Sequence, residues 1–250
     1  TTVTGQWDFD FKDLSATIGS PLAYLDGTNG VTQTETQFGT TEEFGLDPID
    51  GQIANVMRVP GDLNRAIGYI MDHRIAPNGG GTRVNQYTLV MDLMIDTSGP
   101  GAASLLQVSS LNNTDDGDLF WQGNNFGQGT GGYNGTGIFK PGEWHRIAAA
   151  YDMAANPPVV TKYVDGIKQD DWTANQSLDN PRRALQPTAI LFGDGDQDER
   201  RVMWVNSIQI RAGKLSDAEL EELGKPTANG IPIALDVVVV PPPKLNIARN

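Results

Sequence analysis

The chain reads as an all-β protein, a sandwich of two antiparallel sheets with one short helix near its C-terminal end. Three observations carry that expectation. Apolar and polar residues alternate over short runs, Gly, Pro, Asn and Asp punctuate those runs, and a single strong helix signature stands out. With 29 glycines and 15 prolines in 250 residues, turns are frequent and long helices are not expected.

The elements follow in order. Gly5-Gln6-Trp7-Asp8-Phe9-Asp10-Phe11 alternates aromatic and polar residues and reads as an early strand. Asp26-Gly27-Thr28-Asn29-Gly30 is a turn cluster, and Ile53 to Val59 is a short strand ending at Pro60-Gly61. The clearest strand is Tyr87 to Asp96, where Tyr87, Leu89, Met91, Leu93 and Ile95 make one apolar face. Further strands are expected at Leu105 to Ser109, Leu119 to Gln122, Arg146 to Asp152, Val159 to Val164, Ala189 to Phe192 and Val202 to Arg211. In the last, Val202, Trp204, Ile208 and Ile210 should share a face with Asn206. In the strand after Trp144, His145, Ile147, Ala149 and Tyr151 alternate with Arg146, Ala148, Ala150 and Asp152. Small residues on both faces suit a strand packed between layers. Asp165-Gly166 supplies the positive φ angles of a tight hairpin. Ser216-Asp217-Ala218-Glu219 is a capping box that starts the helix, Leu220 and Leu223 give it an apolar side, and Gly224 with Pro226 stops it.

The stretch Gly142-Glu143-Trp144-His145-Arg146, the Asp165-Gly166 hairpin and the final strand leading into Leu215-Ser216-Asp217-Ala218-Glu219 together resemble laminin-G-like and concanavalin A-like lectin-glucanase domains of the bacterial, extracellular type. The resemblance covers roughly residues 140 to 224 by motif and residues 5 to 140 by layout only. It implies a jelly-roll sandwich over residues 1–225. It also implies a secreted or cell-surface location, and a leader removed before Thr1 is in keeping with that. Residues 226–250, with Asp236-Val237-Val238-Val239-Val240 and Pro241-Pro242-Pro243, read as a strand and stiff linker toward a further module.

The bulk composition excludes several functions. A net charge of -13 opposes nucleic acid and anionic membrane alike, because the phosphate term is repulsive. No apolar run approaches the roughly 20 residues that span a bilayer. Without cysteine there is no thiol catalysis, thiolate metal site or disulfide. Two histidines, His73 and His145, are a poor basis for triads or multi-histidine metal sites.

An acidic chain does suit divalent cations, and one structural Ca2+ is expected. Ca2+ takes about six to eight oxygen ligands. Asp194, Asp196 and Asp198 gather such oxygens in one turn, which Arg200 and Arg201 would otherwise balance as a solvated acidic face. Asn113-Thr114-Asp115-Asp116-Gly117-Asp118 is a second candidate. The family resemblance implies a third, an acidic residue near the first strand (Asp8 or Asp10) facing the opening of the last strand. Here that position is Asn206 rather than an aspartate, which removes one charge from the site.

For ligand binding, Trp121-Gln122-Gly123-Asn124-Asn125 places an aromatic ring and three amides on a glycine-containing loop, and Trp172 offers a second ring. Indole faces stack on the C–H patches of sugars, while amides meet hydroxyls as donors and acceptors. The competing role for both tryptophans is core packing. Catalysis lacks a motif. Glycoside hydrolysis generally uses two carboxylates roughly 5–9.5 Å apart, and the Glu-x-Asp-x-x-Glu strand of laminarinase-type jelly rolls is absent: only Asp92 and Asp96 flank Leu93-Met94-Ile95. The expectation is therefore a non-catalytic binding module of a larger protein, with carbohydrate or another cell-surface ligand as partner. The alternatives are a polysaccharide hydrolase or lyase with unfamiliar residues, and an adhesion or assembly module that binds protein.

Overall fold

The computed structural model describes residues 1–61, 68–111, 118–129, 132–173, 177–193 and 199–235. In chain order its elements are β1 (Thr2–Trp7), β2 (Ala23–Tyr24), α1 (Val31–Glu35), β3 (Gln37–Thr40), β4 (Asn55–Val59), β5 (Tyr69–Asp72) and β6 (Gln86–Ile95). There follow β7 (Ala102–Gln107), β8 (Leu119–Gln122), β9 (Asn125–Gly127), β10 (His145–Asp152) and β11 (Val159–Val164). The last are β12 (Ile167–Trp172), β13 (Thr188–Leu191), β14 (Met203–Ala212) and α2 (Asp217–Glu222).

The strands form two antiparallel sheets. One has eight strands in the order β12-β11-β10-β6-β14-β4-β3, with β1 also pairing on β14; the other has six, in the order β2-β5-β13-β7-β8-β9. Inward-facing residues of both sheets meet in one core. Met57, Leu89, Met91, Ile147, Tyr151 and Ile208 of the larger sheet pack with Tyr69, Met71, Leu105, Leu119, Trp121 and Leu191 of the smaller. The all-β sandwich is the fold observed.

Two stretches depart from the expected pattern. The first strand ends at Trp7 instead of running to Phe11, because Phe9 takes a left-handed φ of 57° that extended backbone does not allow. In β14 the register against β6 shifts between Val205 and Ser207. A one-residue slip moves every later side chain to the opposite face. Met203 and Val205 therefore point inward before the bulge, and Ile208 and Ile210 after it. Trp204 does not share the face of Ile208 and Ile210, as strict alternation would have it. The bulge also divides the free edge of β14: β4 takes Met203 to Val205 and β1 takes Ile208 to Ala212.

The outer face of the larger sheet carries a third layer. Val90, Ala148, Ala150 and Tyr163 pack under Leu215, Leu220, Leu223 and Ile231, and the small side chains of β10 let the layer sit close. Beyond residue 225, Ile231 belongs to that layer and Leu235 packs against it. The Gln6 amide donates to the Ile231 carbonyl, Arg146 Nη2 to Gly230, and Arg211 Nη2 to Pro232 and Ile233. Residues 236–250, including the valine and proline runs, lie outside the described residues.

Candidate functional site

On β8 the inward residues Leu119 and Trp121 join the core, so Phe120 and Gln122 face outward from the six-stranded sheet. Above them lies a cavity of about 320 Å³. Its walls are Gln128, Gly129 and Tyr133 from the segment after β9, Arg182 from the segment between β12 and β13, and Glu199 just before β14. Phe120 is its buried apolar floor and Gln122 an exposed amide on its rim. Amide, phenol, guanidinium and carboxylate thus converge over an aromatic ring. That mixture donates and accepts hydrogen bonds in several directions at once.

The walls are held from behind. Arg182 Nε lies 3.1 Å from Asp118 Oδ1, and Asp118 Oδ2 accepts from Val108 N at 2.8 Å. Burial pushes the Asp118 carboxyl up to about 6, against the pull of the Val108 N–H and Arg182. Lys162 of β11 points into the sandwich and donates to the carbonyls of Phe126 at 3.0 Å and Asn134 at 2.9 Å. It thereby clips together the two ends of the segment that supplies Gln128, Gly129 and Tyr133. Its ammonium lies 4.8 Å from the centre of the Trp172 ring, and burial pulls its pKa down to about 8.

Of the five residues expected to bind ligand, the structure brings only Gln122 to the cavity. Both tryptophans lie in the core. Trp121 is 4% exposed, donates from Nε1 to the Phe139 carbonyl and is covered by the Arg201 guanidinium at 4.8 Å. Trp172 is 2% exposed, with Lys162 and Arg183 against its ring. Neither offers an open face to a sugar, because each occupies an inward position of its strand. Asn124 makes the β8–β9 turn with φ 63°, a conformation asparagine tolerates better than most residues. Asn125 spends its amide on Gly123 O and Gly137 N. Tyr133, Arg182 and Glu199 were not legible as partners, since they come from three segments that only the fold brings together.

The acidic turn Asp194, Asp196 and Asp198, like residues 113–117 of the second acidic cluster, lies outside the described residues. At the third candidate position, Asp8 already accepts hydrogen bonds from Gln6, Thr17 and Ser207. Asp10 is exposed and accepts from Asn55 Nδ2 at 2.9 Å, while Asn206 Nδ2 donates to Asn55 O at 2.8 Å. Asn55 thus links the two expected ligands, and Asn206 Oδ1 is buried with no hydrogen-bond partner among the described residues. Among the described residues no three His, Cys, Asp or Glu side chains converge as a metal cluster. Asp10 and Asn206 therefore fit a Ca2+ ion only if backbone carbonyls and water complete its shell.

No protein-family model matches the chain, and no curated protein matches it. Among solved structures it is similar to domain 4 of AbnA, a GH43 extracellular arabinanase from Geobacillus stearothermophilus, in complex with arabinotriose. The TM-score is 0.55 at 18% identity, over 90% of this chain and 98% of that chain. It is also similar to the botulinum neurotoxin type G receptor binding domain, with a TM-score of 0.55 and 9% identity over 89% of this chain and 50% of that chain. The binding domain of Paraclostridial Mosquitocidal Protein 1 gives 0.54 and 15% over 88% and 51%. The chain spans about half the length of the two toxin chains. At these identities the likeness shows the fold alone, a β-sandwich. No helix among the described residues is long and apolar enough to cross a membrane.

Proposed function

We propose that this chain is a non-catalytic, secreted binding module of the concanavalin A-like, laminin-G-like kind, and that the cavity over β8 and β9 holds a carbohydrate. The observation that carries the reading is the lining itself. Gln122, Gln128, Tyr133, Arg182 and Glu199 offer donors and acceptors around one aromatic floor. A sugar presents both kinds of partner on every hydroxyl, together with an apolar ring face. Among the described residues Glu199 is the one carboxylate in the lining, and hydrolysis of a glycosidic bond generally needs two. The arabinotriose complex of the AbnA domain supports the same class of ligand by analogy of fold.

A glycan array paired with a reducing-end release assay tests this. Retention of glycans without product is expected, with Gln122→Ala and Glu199→Gln each weakening retention at least tenfold and leaving the melting temperature within a few degrees. Product release would make the protein an enzyme, and a blank array would favour a protein ligand and an assembly role.

We also propose one structural Ca2+, held either by the acidic turn of Asp194, Asp196 and Asp198 or by Asp10 with the unpartnered Asn206 Oδ1. Its supports are the acidic balance of the chain and that orphaned amide oxygen. It is measured as a rise in melting temperature when Ca2+ is restored to chelated protein.

A further inference from the structure

We propose that a groove on the outer face of the eight-stranded sheet, built around Trp204, is a second ligand site that takes a single neutral sugar ring. It lies away from the β8–β9 cavity, on the opposite sheet, and does not depend on that reading.

The groove follows from the bulge in β14. Because Met203 and Val205 point into the core, Trp204 between them points out. Across the sheet Trp204 pairs with Met94 of β6 on one side and with Arg58 of β4 on the other, and Arg58 pairs in turn with Gln37 of β3. The helical layer covers this face at Val90 and Ala148, closer to the other end of β6 and β10. Here the wall is instead the loop at Leu46 and Asp47, and the half-buried Trp144 holds that loop in place by donating from Nε1 to the Asp47 carbonyl at 3.0 Å. The space enclosed by Leu46, Asp47, Met94, Asp96, Thr97 and Trp204 is about 240 Å³.

Three features select the occupant. The volume falls below the roughly 300–1,000 Å³ of sites for drug-sized ligands, which suits one ring better than a chain of them. The floor is apolar, with a half-buried indole beside Met94, and an indole face packs against the C–H side of a sugar. The rim is polar and of mixed charge. Asp47 is exposed, and the Thr97 hydroxyl, which donates to Asp96 Oδ1, keeps its lone pairs, so sugar hydroxyls find acceptors, whereas Arg58 beside Trp204 opposes a cation and the two aspartates oppose an anion. The apolar face of the indole, rather than its Nε1, which is buried, is what the groove presents.

Fluorine NMR on the full chain labelled with 5-fluorotryptophan tests the site directly, because the five tryptophans give five signals. The signal lost in Trp204→Phe is that of Trp204. Titration with the methyl glycosides of glucose, galactose, mannose, xylose and arabinose should move it saturably for at least one sugar. Asp47→Ala should weaken that apparent Kd at least tenfold, and Gln122→Ala should leave it unchanged. The proposal fails if no methyl glycoside moves the Trp204 signal, if only tetramethylammonium or acetate does so, or if Asp47→Ala has no effect. A chain whose glycan retention depends on Gln122 while Trp204 stays silent would keep the cavity reading and lose this one.

Discussion

Lys162 is a full ammonium carried into the sandwich, and its surroundings show why it is tolerated. Two carbonyls accept its protons, the Trp172 ring lies beneath it, and Asp170 and Asp171 of the neighbouring strand oppose the loss of charge. Burial nonetheless wins and pulls the group down to about 8. Between that value and the ordinary 10.5 of the unfolded chain, the unfolded state holds more protons. The Lys162 contribution to stability therefore rises with pH across this window. In urea unfolding between pH 7.5 and 9.5, wild type should gain on the order of 1 kcal/mol relative to Lys162→Met. Parallel pH curves for the two proteins would refute the assignment. Asp92 and Arg146 are a buried pair of opposite charges, bonded through Arg146 Nε and Nη2 at 2.7 Å. Burial raises the Asp92 carboxyl and the guanidinium opposes it. Arg146 also donates to the carbonyls of Leu223 and Gly230, so the pair anchors the outer layer as well as the strand.

At the scale of elements, the local signals that proved legible are those whose chemistry is complete within a few residues. Asp165 and Gly166 take φ angles of 53° and 75° and join β11 to β12, as an Asp-Gly turn should. A Cβ on Gly166 would also lie 2.7 Å from the Glu221 carbonyl, so the same glycine admits α2 against the hairpin. The capping box is formed in full, with Ser216 and Glu219 each satisfying the other's backbone. The segment after α2 was not legible. Its residues carry no strand or helix pattern, and it is ordered by partners on β1, β10 and β14. Chains ending at residue 224 and at residue 235 separate the two readings. The shorter one loses the burial of Ile231, about 1.5–3 kcal/mol, and charge-assisted bonds to Arg146 and Arg211 worth about 1.5–3 kcal/mol each. Offset by the entropy regained, it should unfold with at least about 2 kcal/mol less stability than the longer one. Equal stability would keep the boundary at 225.

For the whole molecule, the net charge of -13 is spread over a sandwich whose two outer faces have different fates. One is partly roofed by α2 and residues 226–235, and the other carries the cavity over β8 and β9. Like charges at this density repel, and a bound divalent cation relieves them. A site filled at a hundredfold excess over its Kd adds about 2.7 kcal/mol, which for a domain of this size raises the melting temperature by about 5–10 °C. Restoring Ca2+ to chelated protein should produce that rise. Asp194→Ala with Asp196→Ala should abolish it if the acidic turn holds the ion, and Asn206→Ala should do so if the Asp10 position does. A melting curve indifferent to Ca2+ after thorough chelation would leave the carboxylates as a solvated face.

By itself the sequence determined the fold class, the positions of β4, β6, β8, β10, β11, β13 and β14 to within a residue or two, the hairpin and the capped helix. These rest on periodicity and on turn and cap residues, all of which act over short spans of chain. It also showed β10 to be packed on both faces, through Ala148 and Ala150 on the one side and Ile147 and Ala149 on the other. The tertiary structure alone decided which polar residues meet. Tyr133, Arg182 and Glu199 converge because β8, β9 and β13 share a sheet, and no local pattern encodes that meeting. Likewise it decided that Trp121 and Trp172 face inward while Trp204 faces out. A strand's alternation fixes which residues share a face but not which face is buried, and a single bulged residue, Asn206, is enough to exchange the two.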